Sequence, residues 1–415
     1  MGIPYYVASL LRTHKHIQRK CGNAPLDVDA LGLDFNCFLH KYLNADNPIG
    51  SIVVALEDLL TRVVRANRIY LAFDGLAPLA KIVQQRYRRM KSPEAASAFD
   101  KHQLSPGTTF MRELADTLRI LFPQIVVSDT LEPGEGEHKI FTWLQTLEPA
   151  DRQRICIYGL DADLVLISIA QRHLGHMDLL REQEDGGFST ISVPAIVEAL
   201  PLDPDEYVRM AILCFGNDFM PNFAMFSLRE EGYARALYFW KHGGLEAAAT
   251  EELKVLCKRA KDTDRHIVAS DGHALEARMG VHCFDGVLNW EAVAHAFKKT
   301  YEWTLHYFRT SEVLDWTWYY PYPDAPLVQQ WVEFPCGPFE WTNPVPPYTV
   351  DDQLRWILPS ESLKTTGLVP LYADELYNEM KDTRHPWMKR YVWECDPLIS
   401  IPFGQHTTVT EISLH

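Results

Sequence analysis

Two pairs of acidic residues in the middle of the chain have the type and spacing that divalent-cation chemistry requires. Glu135 and Glu137 lie in a glycine-containing turn, and Asp161 and Asp163 follow the apolar run 155–158. A short apolar run followed by a glycine predicts a buried strand that ends just before the second pair. Because open α/β sheets bind ligands at the carboxyl ends of their strands, we expect the two pairs to meet at one rim.

Three more acidic residues extend this pattern. Asp34 and Asp74 lie near the ends of segments that we interpret as strands, 27–36 and 69–75, and Asp218 follows a predicted helix. Carboxylates that converge on one point repel each other and have raised pKa values unless a cation lies between them. Oxygen ligands favour Mg²⁺ or Mn²⁺ over zinc, which would require His or Cys at tetrahedral spacing. The alternative is that these residues are solvated helix caps, but pairs after two predicted strands favour a metal site.

The elements that must position these acids alternate along the first half of the chain. Apolar residues at helical spacing predict a helix over 43–68, and a basic run predicts a first helix over 10–20. Leu114, Leu118 and Leu121 predict the core stripe of another helix. Strands that alternate with helices and end in acids predict an α/β fold with a mostly parallel central sheet flanked by helices.

A basic helix is predicted directly after Asp74. Lys81, Gln85, Arg88 and Arg89 fall on one face about 100° wide, because successive helical residues are about 100° apart. Guanidinium groups bind phosphate oxygens in a bidentate manner, so this face is suited to a phosphate group beside the metals. The alternative is an ordinary basic surface helix, since further basic residues lie on its other faces.

Length and composition limit the class of protein. The 415 residues, 47% of them apolar and 11 of them Trp, are enough for two lobes or one elaborated globular domain. No apolar run approaches the about 20 residues that span a membrane, and the start of the chain does not have the pattern of a signal peptide. Eight scattered cysteines are typical of reduced thiols in the cytosol or nucleus. The net charge of −15 argues weakly against unspecific polyanion binding.

The order and spacing of these motifs resemble the successive blocks of the Xrn-type 5′→3′ exoribonucleases. A second, looser set at 301–308, 315–322 and 352–372 resembles the second conserved region of that family. The first set is Met1-Gly-Ile-Pro4, Leu33-Asp-Phe-Asn36 with His40, Phe73-Asp-Gly75, the helix 81–89, Ser105-Pro-Gly-Thr108, Pro133-Gly-Glu-Gly-Glu-His-Lys139, Gly159-Leu-Asp-Ala-Asp-Leu164 and Phe215-Gly-Asn-Asp-Phe-Met-Pro221.

The resemblance also implies an organisation of the chain. A nuclease catalytic domain with a PIN or flap-nuclease-like core is expected over 1–225, and a variable connecting segment over 226–284. The second conserved region, 285–415, is expected to be a mainly helical and irregular lobe that closes the active site. The chain lacks the long C-terminal extensions of the large members, so it is similar to a minimal catalytic core, as expected in a compact genome such as that of a large DNA virus.

The resemblance implies an activity and roles for the motif residues. The activity is processive hydrolysis of single-stranded RNA from a 5′-monophosphate end to mononucleotides, in mRNA decay, in the cytoplasm. Lys81, Gln85, Arg88 and Arg89 would bind the 5′-phosphate, and His40 with Trp316 or Trp318 would stack on the first base. Two Mg²⁺ ions, which Mn²⁺ can replace, would be held by seven residues: Asp34, Asp74, Glu135, Glu137, Asp161, Asp163 and Asp218.

Several alternatives stay open at this stage. His40 is also compatible with a structural role, and each tryptophan with core packing. A flap-type DNA endonuclease would share the acidic rim, although no GxGxG-like hairpin motif for duplex DNA follows Asp218. An inactive RNA-binding scaffold would be expected to lack a metal ligand. The family resemblance further implies a monomer that works with decapping or other RNA-decay factors.

Overall fold

The computed structural model describes residues 2–3, 5–91, 99–183, 186–228, 231–262, 289–322 and 325–369. Within these residues, seven strands form one sheet in the order β1-β7-β6-β5-β2-β3-β4. The strands are β1 Gln18–Lys20, β2 Leu26–Asp34, β3 Val64–Ala72, β4 Val126–Ser128, β5 Arg154–Tyr158, β6 His176–Glu182 and β7 Phe188–Ser192.

Helices flank the sheet and extend into the second half of the chain. They are α1 Tyr6–Thr13, α2 Phe35–Leu39, α3 Pro48–Asp58, α4 Leu79–Lys91, α5 Thr109–Leu121, α6 Gly136–Thr146, α7 Asp163–Ala170, α8 Val193–Ala199, α9 Pro204–Phe215, α10 Gly232–Lys241, α11 Gly244–Asp262, α12 Trp290–Thr310, α13 Val328–Glu333, α14 Val350–Ile357 and α15 Ser360–Thr365. No helix in the described part of the chain is both long and apolar enough to cross a membrane.

The direction of the strands brings the predicted acids to one rim. Strands β2 to β6 pair in parallel, whereas β7 is antiparallel to both β6 and β1. The carboxyl ends of the five parallel strands therefore point the same way, and four of them are followed by residues of the acidic motifs. The expectation of a mostly parallel central sheet flanked by helices is confirmed.

Alternation along the strands places one apolar core on each face of the sheet. In β2, Ala30 faces the core under α6 and Leu31 faces the core under α3 and α5; the same alternation separates Ile157 from Tyr158 in β5. Gly32 also faces α6, and a Cβ atom at this position would lie 2.3 Å from Cγ2 of Ile140. The absence of a side chain at this position lets α6, which carries Glu137, pack close to the sheet.

The second half of the chain packs against the first through two clusters. The long helix α12 contacts α7 and α9 and contributes to the core on the α6 side of the sheet. Helix α14 packs on α4 through Leu354 and Ile357, which contact Leu79 and Ile82. The division at 225 and 284 stays a prediction, and the motif residues from 370 onward lie outside the described residues.

Three expectations about individual elements are wrong. The helix predicted over 43–68 ends in a π-helical turn, Leu59–Val63, and Val64 begins β3. Pairing of this segment with β2 satisfies its backbone groups, so tertiary context overrides the helical apolar spacing. The basic segment expected as a first helix ends its helix at Thr13 and then forms edge strand β1. Leu121 is 52% exposed, and Phe122 packs into the core instead.

Candidate active site

A tight cluster of three carboxylates lies at the rim where the parallel strands end. Glu137 is in the first turn of α6, Asp161 follows β5, and Asp163 is the first residue of α7. One carboxylate oxygen from each lies within 4.8 Å of the other two. Asp163 is 1% exposed, its Oδ1 has no hydrogen-bond partner, and Gly2 packs so closely that a Cβ there would lie 2.3 Å from this oxygen. This arrangement leaves a buried acceptor directed into an anionic cluster.

Asp34 and Asp74 form a second part of the rim, and their neighbours fix their orientation. The thiol of Cys37 donates a hydrogen bond of 2.8 Å to Oδ2 of Asp34. Asp74 accepts 2.7 Å from the side-chain amide of Asn36 and 2.8 Å from the backbone N–H of Gly136. The Gly136 bond links the end of β3 to the start of α6, so it holds the two acidic segments side by side.

A lysine lies between the remaining two acids. Nζ of Lys81, in the first turn of α4, lies 2.6 Å from Oε2 of Glu135 and 2.7 Å from Oδ2 of Asp218. All three side chains are buried. The hydroxyl of Tyr307, on α12, donates a 3.3 Å hydrogen bond to the other oxygen of Glu135. Glu135 is thus held by residues from both halves of the chain.

Burial and mutual repulsion raise the pKa values of the rim acids. Burial, with the charges of Asp74 and Asp161, raises the pKa of Asp34 to about 8. Burial and the neighbouring acids raise the pKa of Asp163 to about 7 and hold that of Glu137 well above its ordinary value. Without a cation the cluster therefore retains protons at neutral pH.

Lys81 shows the opposite response to the same surroundings. Burial alone would lower the pKa of its ammonium group, but the carboxylates of Asp218 and Glu135 raise that pKa well above the ordinary lysine value. One permanent positive charge therefore lies inside the acidic cluster, and it neutralises only part of it.

The donor set fits divalent metal ions. The cluster supplies carboxylate oxygens, the ligands that Mg²⁺ and Mn²⁺ prefer, and one of them, Oδ1 of Asp163, is buried and has no hydrogen-bond partner. A cation there would replace the protons that the raised pKa values imply. We conclude that the rim is suited to hard divalent cations.

A cavity of about 470 Å³ opens in front of the acids. Polar and basic residues of α4 and of the 3₁₀ turn Lys101–Leu104 also line it. The residues that line it are Asp34, Asn36, Cys37, His40, Asp74, Lys81, Gln85, Arg89, Lys101, His102, Leu104, Glu135, Glu137, Leu160 and Asp161. Acids and cationic donors thus share one pocket of the size that binds small ligands.

The four residues predicted to bind phosphate are placed differently from one another. Gln85 and Arg89 line the cavity, and Arg89 also donates a 2.9 Å hydrogen bond to the hydroxyl of Ser105. Lys81 also lines the cavity, but its ammonium is paired with Glu135 and Asp218. The side chain of Arg88 lies outside the described residues. His40, predicted to stack on a base, is exposed and also lines the cavity.

The two candidate stacking tryptophans both belong to the packing of the second lobe. Trp316 is 7% exposed, and its indole N–H donates to the carbonyl of Pro344 at 3.2 Å. The indole of Trp318 donates to Thr300 at 3.1 Å, and the ammonium of Lys299 lies 4.5 Å from its ring centroid. These contacts explain both residues without a ligand, so their stacking role stays a prediction.

Several residues of the site were not found from the sequence. Asn36 and Cys37 come two and three residues after Asp34, so their position within one turn of a strand-end acid was an available signal. Lys101 and His102 lie beyond α4, and nothing in their local sequence points to the cavity. Tyr307 comes from α12, far away in the chain, and only the tertiary structure brings it to Glu135.

Comparison with known proteins gives the same family as the motifs. The family model that describes the N-terminus of the XRN 5′-3′ exonucleases matches residues 1–98 and 90–183 of this chain. Similar proteins include 5′-3′ exoribonuclease 1 of Saccharomyces cerevisiae, 26% identical over 336 residues, which cover 62% of this chain and 22% of that protein. The 5′-3′ exoribonuclease 2 of Kluyveromyces lactis is 26% identical over 314 residues, which cover 52% of this chain and 31% of that protein.

The chain therefore spans between about a fifth and a third of the length of these relatives. Among solved structures, the catalytic core of Rad2 in complex with DNA substrate is 16% identical, with a TM-score of 0.44 over 89% of this chain and 96% of that chain. A similarity that low carries no functional argument. The family match falls on the segments that supply six of the seven rim acids, and it confirms the resemblance seen in the motifs. Over residues 1–183, the chain is similar to the N-terminal region of the Xrn family of 5′→3′ exonucleases.

Proposed function

We propose that this protein is a 5′→3′ exoribonuclease that hydrolyses single-stranded RNA from a 5′-monophosphate end. The observation that carries the proposal is that one cavity is lined both by carboxylates and by basic and amide donors. Gln85, Arg89, Lys101 and His102 form what we call the donor wall. We propose that a terminal phosphate binds to the donor wall and that the acids act on the next phosphodiester, which releases one nucleotide at a time.

We propose Mg²⁺ as the resident metal, with two ions in the site and Mn²⁺ as a substitute. Glu137, Asp161 and Asp163 would hold one ion, and Asp34 and Asp74 would contribute to the other. When bound, such ions activate a water molecule and stabilise the leaving oxygen of an in-line displacement. Lys81 keeps Glu135 and Asp218 in place from within the cluster.

Recognition of the RNA end is assigned to the donor wall. Gln85 and Arg89 offer an amide and a guanidinium to one phosphate group, and Lys101 and His102 line the same cavity. A guanidinium binds phosphate oxygens through two parallel hydrogen bonds. Arg88 is a further predicted member of this set. A group of this kind discriminates a phosphate from a hydroxyl end by charge-assisted hydrogen bonds.

Base contacts are expected to be sequence-independent. His40 is exposed and lines the cavity, and an aromatic ring there can stack on any base. Stacking of this kind contributes about 1–3 kcal/mol per base. Trp316 or Trp318 is the predicted partner on the other side of the base. Single strands, rather than duplexes, present unstacked bases to such a site.

The decisive experiment compares four substrates of one sequence in the presence of Mg²⁺: RNA with a 5′-monophosphate, a 5′-triphosphate or a 5′-hydroxyl end, and the matching 5′-monophosphate DNA. We expect only the first to be degraded rapidly, with mononucleotide products. Asp163→Asn should abolish turnover while RNA binding remains. Arg62→Gln, at an exposed ion pair with Asp58, is the matched control and should behave as the wild type.

Each alternative predicts a different result. Cleavage of branched DNA near a 5′ flap, with little activity on RNA, would indicate a flap-type endonuclease. RNA binding without turnover in Mg²⁺ or Mn²⁺ would indicate a scaffold. Activity in excess EDTA would contradict the metal assignment. We also propose that the protein acts in the cytoplasm as a monomer. Its proposed partners are decapping factors or other RNA-decay factors.

A further inference from the structure

A buried glutamine of the second lobe touches the donor wall of the cavity. Gln353 lies in α14, is 0% exposed, and reaches across to the segment that begins α4. Its Oε1 accepts a 2.8 Å hydrogen bond from the backbone N–H of Ala77. Its Nε2 donates a 3.3 Å hydrogen bond to Oε1 of Gln85. Gln85 itself lines the cavity.

The polarity of this chain of hydrogen bonds is fixed at one end. A backbone N–H can only donate, so Ala77 must face the carbonyl oxygen of Gln353. The amide nitrogen of Gln353 must then face Gln85, and a primary amide nitrogen can only donate. Gln85 is therefore required to offer its oxygen to Gln353. Its own NH₂ group is left for the cavity.

Further hydrogen bonds hold the start of α4 in place beside Gln353. The hydroxyl of Tyr348 lies 3.0 Å from the carbonyl of Ala77 and 2.9 Å from that of Trp316. The carbonyl of Trp316 also accepts a 2.9 Å hydrogen bond from the N–H of Leu79, the first residue of α4. Because Gln353 is excluded from water, a flip of its amide would leave two buried mismatched contacts.

We propose that Gln353 is a positioning residue that fixes the side-chain amide of Gln85 with its donor end toward the cavity. A phosphate group has only acceptor oxygens, so it is bound by that NH₂ and repelled by the carbonyl oxygen that a flip would present. Discrimination of the RNA end thus depends on a residue of α14 that never touches RNA. This inference rests on the proposed function, in which the cavity binds a 5′-monophosphate.

The test uses two substitutions of Gln353 with opposite electronic effects. In Gln353→Glu, one carboxylate oxygen still accepts the hydrogen bond from the backbone N–H of Ala77. The other oxygen can only accept, so it favours rotation of the Gln85 amide until the NH₂ group of Gln85 points toward the new carboxylate and away from the cavity. The carbonyl oxygen of Gln85 would then face the phosphate. Gln353→Met removes the contact without imposing a direction. The measurement is kcat/KM on 5′-monophosphate RNA divided by kcat/KM on 5′-hydroxyl RNA.

We expect Gln353→Glu to lower this ratio about tenfold or more, the loss associated with one hydrogen bond to a charged group. Gln353→Met should lower it less, and turnover of hydroxyl-ended RNA should stay unchanged in both. In a Gln85→Met background, Gln353→Glu should have no further effect on the ratio, because the amide that it redirects is gone. Gln330→Glu, which also introduces a buried carboxylate, is the control and should leave the ratio unchanged.

Two results would overturn the role of Gln353. One is a wild-type ratio in Gln353→Glu. The other is an equal loss on both substrates, which would indicate general damage to the fold. A wild-type protein that shows no preference for the 5′-monophosphate would instead contradict the proposed function itself. The kcat/KM ratio of the wild-type protein tests the proposed function. The activity of the Gln353 variants on hydroxyl-ended RNA distinguishes a specific loss from general damage to the fold.

Discussion

Replacement of Lys81 tests whether its ammonium group neutralises the acidic cluster. Lys81→Met keeps the length of the side chain and removes the charge that lies 2.6 Å from Glu135 and 2.7 Å from Asp218. Both carboxylates would be left buried without a cation. Removing one partner of a buried, hydrogen-bonded ion pair typically costs about 3–5 kcal/mol. We expect a loss of free energy of unfolding of that size in EDTA.

Divalent metal should reverse much of this loss. The two carboxylates freed by Lys81→Met become available to a cation, so the variant should gain more from metal than the wild type does. A ligand at 100 times its dissociation constant stabilises the folded state by about 2.7 kcal/mol. Urea unfolding of both proteins in EDTA and in Mg²⁺, without RNA, measures the two differences directly.

A matched lysine substitution controls for charge alone. Lys41 is paired with Glu182 but its side chain is 55% exposed, so Lys41→Met should cost about 1 kcal/mol or less and should not respond to metal. If Lys81→Met were as stable as the wild type in EDTA, the ion pair would not balance the cluster. If Mg²⁺ stabilised the variant and the wild type equally, metal and ammonium would not act on the same carboxylates.

Three further predictions concern residues outside the cavity. Burial raises the pKa of Glu252 to about 7, so as the pH rises this carboxyl group ionises in the unfolded chain before it does in the folded one. The free energy of unfolding should therefore fall by about 3 kcal/mol between pH 4.5 and 7. In Glu252→Gln, the free energy of unfolding measured in urea should vary less over this pH range. Gly32→Ala should lower the melting temperature, since the new Cβ would lie 2.3 Å from Ile140, and a wild-type value in calorimetry would contradict this packing. Tyr307→Phe should lower the free energy of unfolding by about 1–3 kcal/mol in urea, because it removes a hydrogen bond to the buried carboxylate of Glu135, and an unchanged stability would show that this bond has no role.

The sequence was sufficient to predict the rim because the relevant signals are local. Asp34 and Asp161 each follow a short apolar run, and such runs alternate with helical segments as parallel sheets require. Glu137 is placed by the helix that begins beside it. Once the strands are parallel, their ends share one rim, and the residues at those ends must be neighbours. No long-range information was needed for that step.

The parts that failed or were missed depend on contacts between distant segments. The start of β3 at Val64 is decided by pairing with β2, which outweighs the helical spacing of the same residues. Of the predicted face of α4, Lys81, Gln85 and Arg89 line the cavity. The sequence did not predict that the ammonium of Lys81 would pair with two of the acids, because those carboxylates come from other elements.

Helix α4 is where the two halves of the proposed chemistry meet. Its first turn supplies the cation that holds Glu135, and the next turns supply the donors that we propose for the RNA end. The start of that helix is fixed by Trp316 and Tyr348, and the donor wall is oriented by Gln353. The second lobe supplies no predicted metal ligand, yet its contacts determine where both groups lie. A shift of α4 would therefore disturb metal binding and end recognition together, whereas a change at the Gln353 amide would disturb only the second.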